Sequence, residues 1–486
     1  MLAVVTSHRT LDRRIAALAI PALGSIAAEP LYNLADTAIV GHLGRVPLDA
    51  LAISASALSI VAWVAIFLAT ATTTEVARSA AGNDGAAAGR AVGAAYAVAV
   101  AWGIVTAGLL AIAAPYVAQL LGAHGEVLHG AVVYLRISAI GLPFLYLSFA
   151  GNGHLTGLEN TRTPLRIALG ANGLNVALEV LLVFGLHAGL SGSAWGTVAA
   201  QAAAAAWYAA VSWRKAPLRP RAPQSAELRT LLRDGHRLSV RTIALGVVPL
   251  ASTAVVARLG PVSLGGQQVA YRLWFMLSLS LDALAVPAQV FVSAAVGAGD
   301  HEAARLTGRR TLVLGLAAGT ALGVVTAALA LGAPDLFTSD PAVRHAAVIA
   351  LLCAALTQPL AALAFVLDGL ILGISDYTAM RRAMILAIGA FAPVAVLVAR
   401  FHWLGLPGIW AALGLWLAAR SALLGRRWAG AIVRSDEKEG RRPRGLKPGG
   451  IPGSQAACVS LCWPIFTGTC PRSTPCCATS AGRAPT

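Results

Sequence analysis

Glu29, Asn33 and Asp36 stand at i, i+4 and i+7 in EPLYNLADTAIVGHLG, residues 29–44, directly after a run from Ile15 to Ala28 that carries no charge. On a helix that spacing places all three on one face, with Tyr32 beside it. Similar spacing recurs in ANGLNVALEV, where Asn172, Asn175 and Glu179 fall at i, i+3 and i+7. A carboxylate at membrane depth costs several kcal/mol unless it is paired, hydrated or protonated. Acids so placed either exchange a proton or another cation, or hold a neighbouring hydroxyl or basic group for structural reasons. Asp36 lies about five residues from the end of its apolar run and Glu179 about seven. At about 1.5 Å per residue both sit within roughly 10 Å of one membrane surface. Two acids and two amides at one level describe a small hydrated pocket shared by two helices. Pro30 removes a backbone donor beside Glu29 and is expected to bend that helix. Elsewhere Arg272, Asp282 and Asp368 also fall inside apolar runs, where a buried ion pair involving Arg272 is the structural reading. His154 and His187 lie near span ends and are expected to be solvated.

The elements that must position these residues are membrane helices. Of 486 residues, 57% are hydrophobic and only 12% charged, with a mean hydropathy of +0.71. A soluble domain carries roughly twice that charge. Apolar stretches of about twenty residues recur from end to end, each enough to cross ~30 Å of hydrocarbon. They resolve into twelve spans near 15–41, 48–76, 89–117, 127–157, 165–186, 190–213, 238–259, 264–296, 307–331, 342–374, 383–399 and 404–424. The fold expected is therefore an all-α polytopic membrane protein. Arg9, Arg13 and Arg14 before the first run resemble a signal peptide, but the run is too long for a cleaved one.

The net charge of +16 raises nucleic acid as a partner, and its distribution argues against it. Basic residues collect in alternate loops: Arg78 and Arg90, Arg162 and Arg166, Arg305 to Arg310, Arg381 and Arg382, and the whole segment 214–237. That is the positive-inside pattern of an inner (plasma) membrane protein with both termini cytoplasmic. Five of the six cysteines lie in the last thirty residues, with no zinc spacing and no oxidising compartment to pair them. Residues 435–486, rich in charge and then in Pro, Gly, Ser and Cys, read as a disordered tail.

The chain also repeats. TAIVGHLGRVPL beginning at Thr37 matches TAVVARLGPVSL beginning at Thr253, a shift of 216. The same shift carries Pro143 to Pro359, Asn152-Gly153 to Asp368-Gly369, Gly157 to Gly373 and Gly192 to Gly408. Two six-helix lobes follow, 1–213 and 238–434, joined by the basic linker 214–237. With six spans per copy the lobes share one orientation and are related by a pseudo-twofold axis along the membrane normal. The acids are not repeated: Asp36 falls on Ser252 and Glu29 on Leu245, so the first lobe is specialised.

No G-x-x-x-x-G-K-[ST] loop is present, which argues against ATP as the energy source. H-E-x-x-H and G-x-S-x-G are also absent, which disfavours an intramembrane enzyme. No catalytic residue, metal site or cofactor is expected.

EPLYNLADTAIVGHLG, the later GNGHLTGLENTRTPLR and the doubled six-span pattern together resemble the MATE (multidrug and toxic compound extrusion) family, its DinF-like branch most of all. The resemblance covers about residues 10–430. It implies a secondary active exporter of amphipathic, often cationic, small molecules; a monomer in the lipid bilayer is expected. The coupling ion it implies is H+, with Na+ as the alternative. It further implies a coupling network centred on Asp36, with Tyr134 and Asn152 on the fourth span, Asn175 and Glu179 on the fifth and Thr197 on the sixth. Glu29 and Asn172 join that set from the residue spacing, and Arg272, Asp282 and Asp368 stand as candidates in the second lobe. The family usually has aspartate where this chain has Glu179. A lipid-linked glycan flippase of the same superfamily is the alternative function.

Overall fold

The computed structural model describes residues 8–214 and 219–440. Expectations for residues 441–486, including the five clustered cysteines, lie outside the described residues, whereas residues 435–440, expected at the start of a disordered tail, continue the last helix. The described chain is helical apart from short connections, with no strand among the described residues. In order the helices are α1 (His8–Gly41), α2 (Arg45–Ala81, in the segments Arg45–Ala65 and Phe67–Ala81) and α3 (Gly85–Leu120). Next come α4 (Gly125–Gly157), α5 (Arg162–Val180, prolonged by the π-helical turn Leu181–Gly185) and α6 (Gly189–Arg214). The second half holds α7 (Ser225–Ala257), α8 (Pro261–Gly297), α9 (His301–Leu329), α10 (Pro341–Gly373), α11 (Tyr377–Arg400) and α12 (Gly405–Gly440). Eleven of these are long and apolar enough to cross a bilayer. The remaining one, α6, has the length but is built from Gly, Ala, Ser and Trp rather than larger aliphatics.

Helix α7 begins well inside the stretch that composition marks as linker. Gln224 caps it reciprocally with Glu227, whose Oε2 accepts from Gln224 N at 2.9 Å. Its first turns are charged, so hydropathy gives no sign of them. The break in α2 at Ile66 frees backbone carbonyls, and side chains take them up. Tyr146 donates to Val61 O at 3.2 Å and Ser239 to Val64 O at 3.1 Å.

The shift of 216 reappears as duplicated backbone detail. Gly44 and Gly260 both have φ 109°, and Glu159 and Ser375, which follow α4 and α10, have φ 58° and 57°. Asp84 accepts from Ala87 N at 2.8 Å, as Asp300 does from Ala303 N at 2.8 Å. Close helix contacts repeat too. A Cβ on Gly153 would lie 2.5 Å from Ala69 O, and one on Gly369 would lie 2.4 Å from Ala285 O, the equivalent atom. Glycine permits these backbone approaches where lipid offers no hydrophobic drive to hold helices together.

Within the first six helices, α4 packs on α2, α3 and α6, while α5 lies between α1 and α6. Within the second six, α8 and α9 pack on α10, and α7 on α11. The polar ties between the two sets gather in the half where α1 begins and α2, α8 and α10 end. Gln289 donates to Thr70 O at 2.8 Å and Thr74 Oγ1 at 2.7 Å, and Arg78 to Ser375 Oγ at 2.6 Å. Arg310 grips Asp12 through two bonds of 2.6 Å. Leu11, Ile15 and Leu18 of α1 are buried against Val290 and Phe291 of α8. Helix α1 thus spans from the contact between the halves to the acidic pocket near its other end.

Candidate ion-coupling site

Three helices each contribute a polar pair one turn apart: Tyr32 and Asp36 from α1, Asn175 and Glu179 from α5, Ser193 and Thr197 from α6. An i, i+4 pair stacks on one helix face, so three such pairs build a pocket two residues deep. Ser193 Oγ donates to Asp36 Oδ1 at 2.9 Å and lies 3.5 Å from Glu179 Oε1. Tyr32 OH donates to Glu179 Oε1 at 3.2 Å and sits 3.1 Å from Thr197 Oγ1. Asn175 Nδ2 donates to Thr197 Oγ1 at 3.4 Å, and Thr197 donates to Ser193 O at 3.1 Å. The two carboxyl groups meet at Ser193 Oγ, which lies 2.9 Å from one and 3.5 Å from the other. Tyr134 of α4 closes the pocket, buried against Ser193 and Thr197 and near both acids.

Burial is nearly complete. Glu179 and Ser193 are 0% exposed, Asn175 4% and Asp36 7%. Gly196 allows α6 to lie against the glutamate, since a Cβ there would be 3.2 Å from Glu179 Cγ. The π turn Leu181–Gly185 begins just after Glu179, a local widening of the kind that often accompanies functional sites. Among the described residues no arginine or lysine pairs with either acid. Glu179 Oε2 and Asn175 Oδ1 are buried acceptors without a hydrogen-bond donor. A pocket with two acids, no fixed cation and two unmatched oxygens is chemically a receptor for a positive charge.

Other expected members fall elsewhere. Glu29 and Asn33 are exposed, because the inward stripe of α1 runs through buried Ala28, half-buried Tyr32 and buried Asp36 and Val40. Asn172 donates to Ala28 O at 3.0 Å, tying α5 to α1 beside Pro30, and so braces the pocket from outside it. Asn152 does not join the network. It follows Tyr134 on α4 by eighteen residues, about 27 Å along the axis, and its Oδ1 accepts from Thr156 at 3.2 Å. His154 is not solvated: it is fully buried, with Nδ1 3.0 Å from Ser212 Oγ. Ser193 escapes the sequence reading, although SGSAWGT carries its one-turn spacing to Thr197.

The second lobe holds a different constellation. Asp368 of α10 accepts from Arg241 of α7 at 2.5 and 3.2 Å, and from buried Arg420 of α12 through Nε at 3.3 Å and also through Nη2. Asp282 of α8 faces the same group. Arg420 also lies over Phe365 and Trp416, 5.5 and 5.7 Å from their ring centroids. Arg272 is exposed and outside the cluster, so the expected buried pair has other arginines. Both were visible as charges inside apolar runs.

Twelve helices with an internal repeat and a buried acid pocket in the first half make an all-α polytopic membrane protein. The family model MatE matches residues 21–181 and 238–401, one match per lobe, and the chain belongs to that family of transporters, which are not enzymes and need no cofactor. It is 32% identical over 421 residues to Protein DETOXIFICATION 44, chloroplastic, of Arabidopsis thaliana, covering 84% of this chain and 80% of the relative. It is 28% identical to DNA damage-inducible protein F of Escherichia coli (strain K12), covering 86% and 92%. Its fold matches a solved structure of the outward-facing conformation of a multidrug resistance MATE family transporter of the MOP superfamily. That match has TM-score 0.81 and 18% identity, and covers 88% of this chain and 97% of that one.

Proposed function

We propose that this transporter exports amphipathic, often cationic, organic compounds in exchange for a cation taken up at the Asp36–Glu179 pocket, and that the cation is a proton. The carrying observation is the pair of unmatched buried oxygens, Glu179 Oε2 and Asn175 Oδ1, beside two acids with no basic partner. Proton uptake lowers the negative charge of the pocket. Because α1 carries Asp36 at one end and packs against α8 at the other, a change of charge in the pocket acts on the contact between the lobes. A coupling ion needs only a few kcal/mol of preference for one state over the other to drive the exchange. The two six-helix lobes, 1–213 and 238–434, are the rocking units, with 214–237 the connection between them. Alternate basic loops support an inner-membrane protein with both termini cytoplasmic. The lobes are then joined on the cytoplasmic side, and the protein is open outward.

The test is drug efflux from membrane vesicles under an imposed pH gradient and, separately, under a sodium gradient. Efflux driven by pH alone, and abolished by Asp36→Asn, is the expected result. Efflux that requires sodium would put that ion in the same pocket instead.

A further inference from the structure

We infer that the cytoplasmic ends of α11 and α12 form a binding site for one anionic phospholipid, with its phosphate between Arg382 and Arg427 and an acyl chain along Leu386 and Leu423. Such a site is independent of the coupling ion. Its place in the cytoplasmic leaflet follows from the orientation that the basic loops support.

The two helices are joined by a short turn at their other end, so Arg382, near the start of α11, and Arg427, near the end of α12, belong to one membrane surface. Both line a groove of about 460 Å³, within the ~300–1,000 Å³ range of small-ligand sites. Leu386 follows Arg382 by one turn, Leu423 precedes Arg427 by one turn, and both leucines line the same groove. The guanidiniums thus stand at the rim and the leucines one turn deeper, which is the order of a headgroup above an acyl chain. Leu386 is 60% exposed, so the deep end opens toward lipid. Arg427 donates to Asp376 Oδ2 through both Nε and Nη2, and Asp376 Oδ1 accepts from Ala379 N at 3.0 Å, which commits that carboxylate to the start of α11. Arg382 is exposed and has no hydrogen-bond or ion-pair partner among the described residues. Two guanidiniums against one carboxylate leave the groove net positive.

The repeat shows that the fold does not force a groove here. The shift of 216 carries Leu386 and Leu423 to Gly170 and Trp207. A Cβ on Gly170 would lie 2.8 Å from Trp207 Cζ3, so in the first lobe an indole lies in the space beside the glycine. Arg166 stands at the place of Arg382, but the counterpart of Arg427 is Val211. The second lobe therefore differs in two linked ways, an open apolar floor and a second guanidinium above it. An anionic phospholipid accounts for both, because it needs charge at the rim and room for a chain beneath. A soluble phosphate would need only the charge. Guanidinium forks match phosphate oxygens, the cytoplasmic leaflet is the negatively charged one, and basic pockets between membrane helices on that side are where such headgroups dock.

Native mass spectrometry of the full chain in detergent, titrated with phosphatidylglycerol or phosphatidylcholine, reads the affinity of the first bound lipid. The wild type should prefer phosphatidylglycerol by roughly tenfold or more, and Arg382→Ala should weaken that binding by roughly tenfold. Arg382→Lys, which keeps the charge, should weaken it less. Leu386→Gly combined with Leu423→Trp copies the filled first-lobe arrangement and leaves both arginines in place. It should weaken phosphatidylglycerol binding by a similar factor, with the unfolding midpoint of the lipid-free chain little changed. Excess inorganic phosphate should not displace the lipid. Equal affinity for the two lipids, or unchanged affinity in Arg382→Ala, would overturn the site. An effect of Arg382→Ala with none from the filled pair would leave the charge without a chain, and displacement by inorganic phosphate would give the groove to a soluble anion; either result overturns a phospholipid as the occupant.

Discussion

The two lobes bury acids in opposite ways. In the first, Asp36 and Glu179 face each other with hydroxyls and amides but no cation. In the second, Asp368 is held by two guanidiniums with Asp282 alongside, so two negative charges meet two positive ones. The shift of 216 that maps one backbone onto the other maps neither site. Tyr32, Asp36, Asn175, Glu179, Ser193 and Thr197 fall on Val248, Ser252, Phe391, Ala395, Ile409 and Leu413. Conversely Arg241, Asp282, Asp368 and Arg420 fall on Ser25, Ile66, Asn152 and Ala204. The duplicated part is glycine contacts, caps and turns, which set the helix packing. Polar groups diverged on top of it. A balanced cluster joining α7, α8, α10 and α12 has the chemistry of a brace, whereas an unbalanced pair has that of a cation receptor.

The largest effect that would test this contrast is on transport. Asp36→Asn and Glu179→Gln should each cut gradient-driven efflux by roughly an order of magnitude or more, since a ligand that no longer distinguishes two states cannot shift them. Insertion and thermal stability should change little, because an amide fits the same hydrogen bonds. Normal pH-driven efflux in both variants would erase the functional side of the comparison.

The next effect falls on stability. Arg420→Ala leaves Asp368 with half its neutralising charge and opens the space beneath Trp416 and Phe365. Breaking a buried pair by removing one partner costs about 3–5 kcal/mol. A lowered unfolding midpoint in detergent, with the pH profile of efflux unchanged in the folded fraction, is expected. If Arg420→Ala instead moves that profile, the second cluster takes part in coupling, and the division between brace and responder is wrong.

Much of this was legible in the sequence. Twelve spans, their order and the repeat follow from hydropathy and from one offset, because lipid leaves helices as the only open-ended solution for the backbone. Asp36, Asn175 and Glu179 were legible because charge and amides inside an apolar run have few explanations. Ser193 was not, since a serine in a Gly-Ala-Ser helix looks like a packing residue until its two acids are in place. Glu29 misled for a related reason: it shares a nominal face with Asp36 but lies more than a turn away, where α1 is exposed. Arg241 and Arg420 were as visible as Arg272, and nothing in spacing alone tells which of three arginines meets Asp368. The extended start of α7 rests on its cap, and the π turn of α5 on local hydrogen bonding, neither of which hydropathy registers.

A smaller effect concerns the contact between the lobes. A Cβ on Gly297 would lie 2.0 Å from Arg78 O and 2.7 Å from Arg78 C, both backbone atoms of the opposite lobe. Neither can rotate away, so Gly297→Ala should hold the lobes apart at that end and disfavour the observed conformation. Cysteines introduced near Ser293 and Thr74 should react faster with a membrane-impermeant thiol reagent in that variant. The equivalent position in the first lobe is Ala81, already an alanine. Equal reactivity with and without Gly297→Ala would mean that the close approach adjusts without changing state.

The smallest expected effect is at Asn152, the position that corresponds to Asp368. The family resemblance puts it in the coupling network, yet about 27 Å of helix separates it from Tyr134, and its partner is Thr156 on the next turn. Asn152→Ala removes one partly exposed hydrogen bond, worth about 1 kcal/mol. The pH profile of efflux should be unchanged and the unfolding midpoint barely lowered. Asn152→Asp is the sharper version. It places a carboxylate where the second lobe has one, but the counterparts of Arg241, Asp282 and Arg420 are Ser25, Ile66 and Ala204, with no guanidinium among them. The acid should therefore destabilise the first lobe unless Arg is supplied at residue 204, the counterpart of Arg420. Rescue of Asn152→Asp by Ala204→Arg, measured as a recovered unfolding midpoint, would show that the repeat still accepts the brace it lost or never had. A shift in coupling pH from Asn152→Ala would instead return this residue to the ion pathway and blur the line between the two sites.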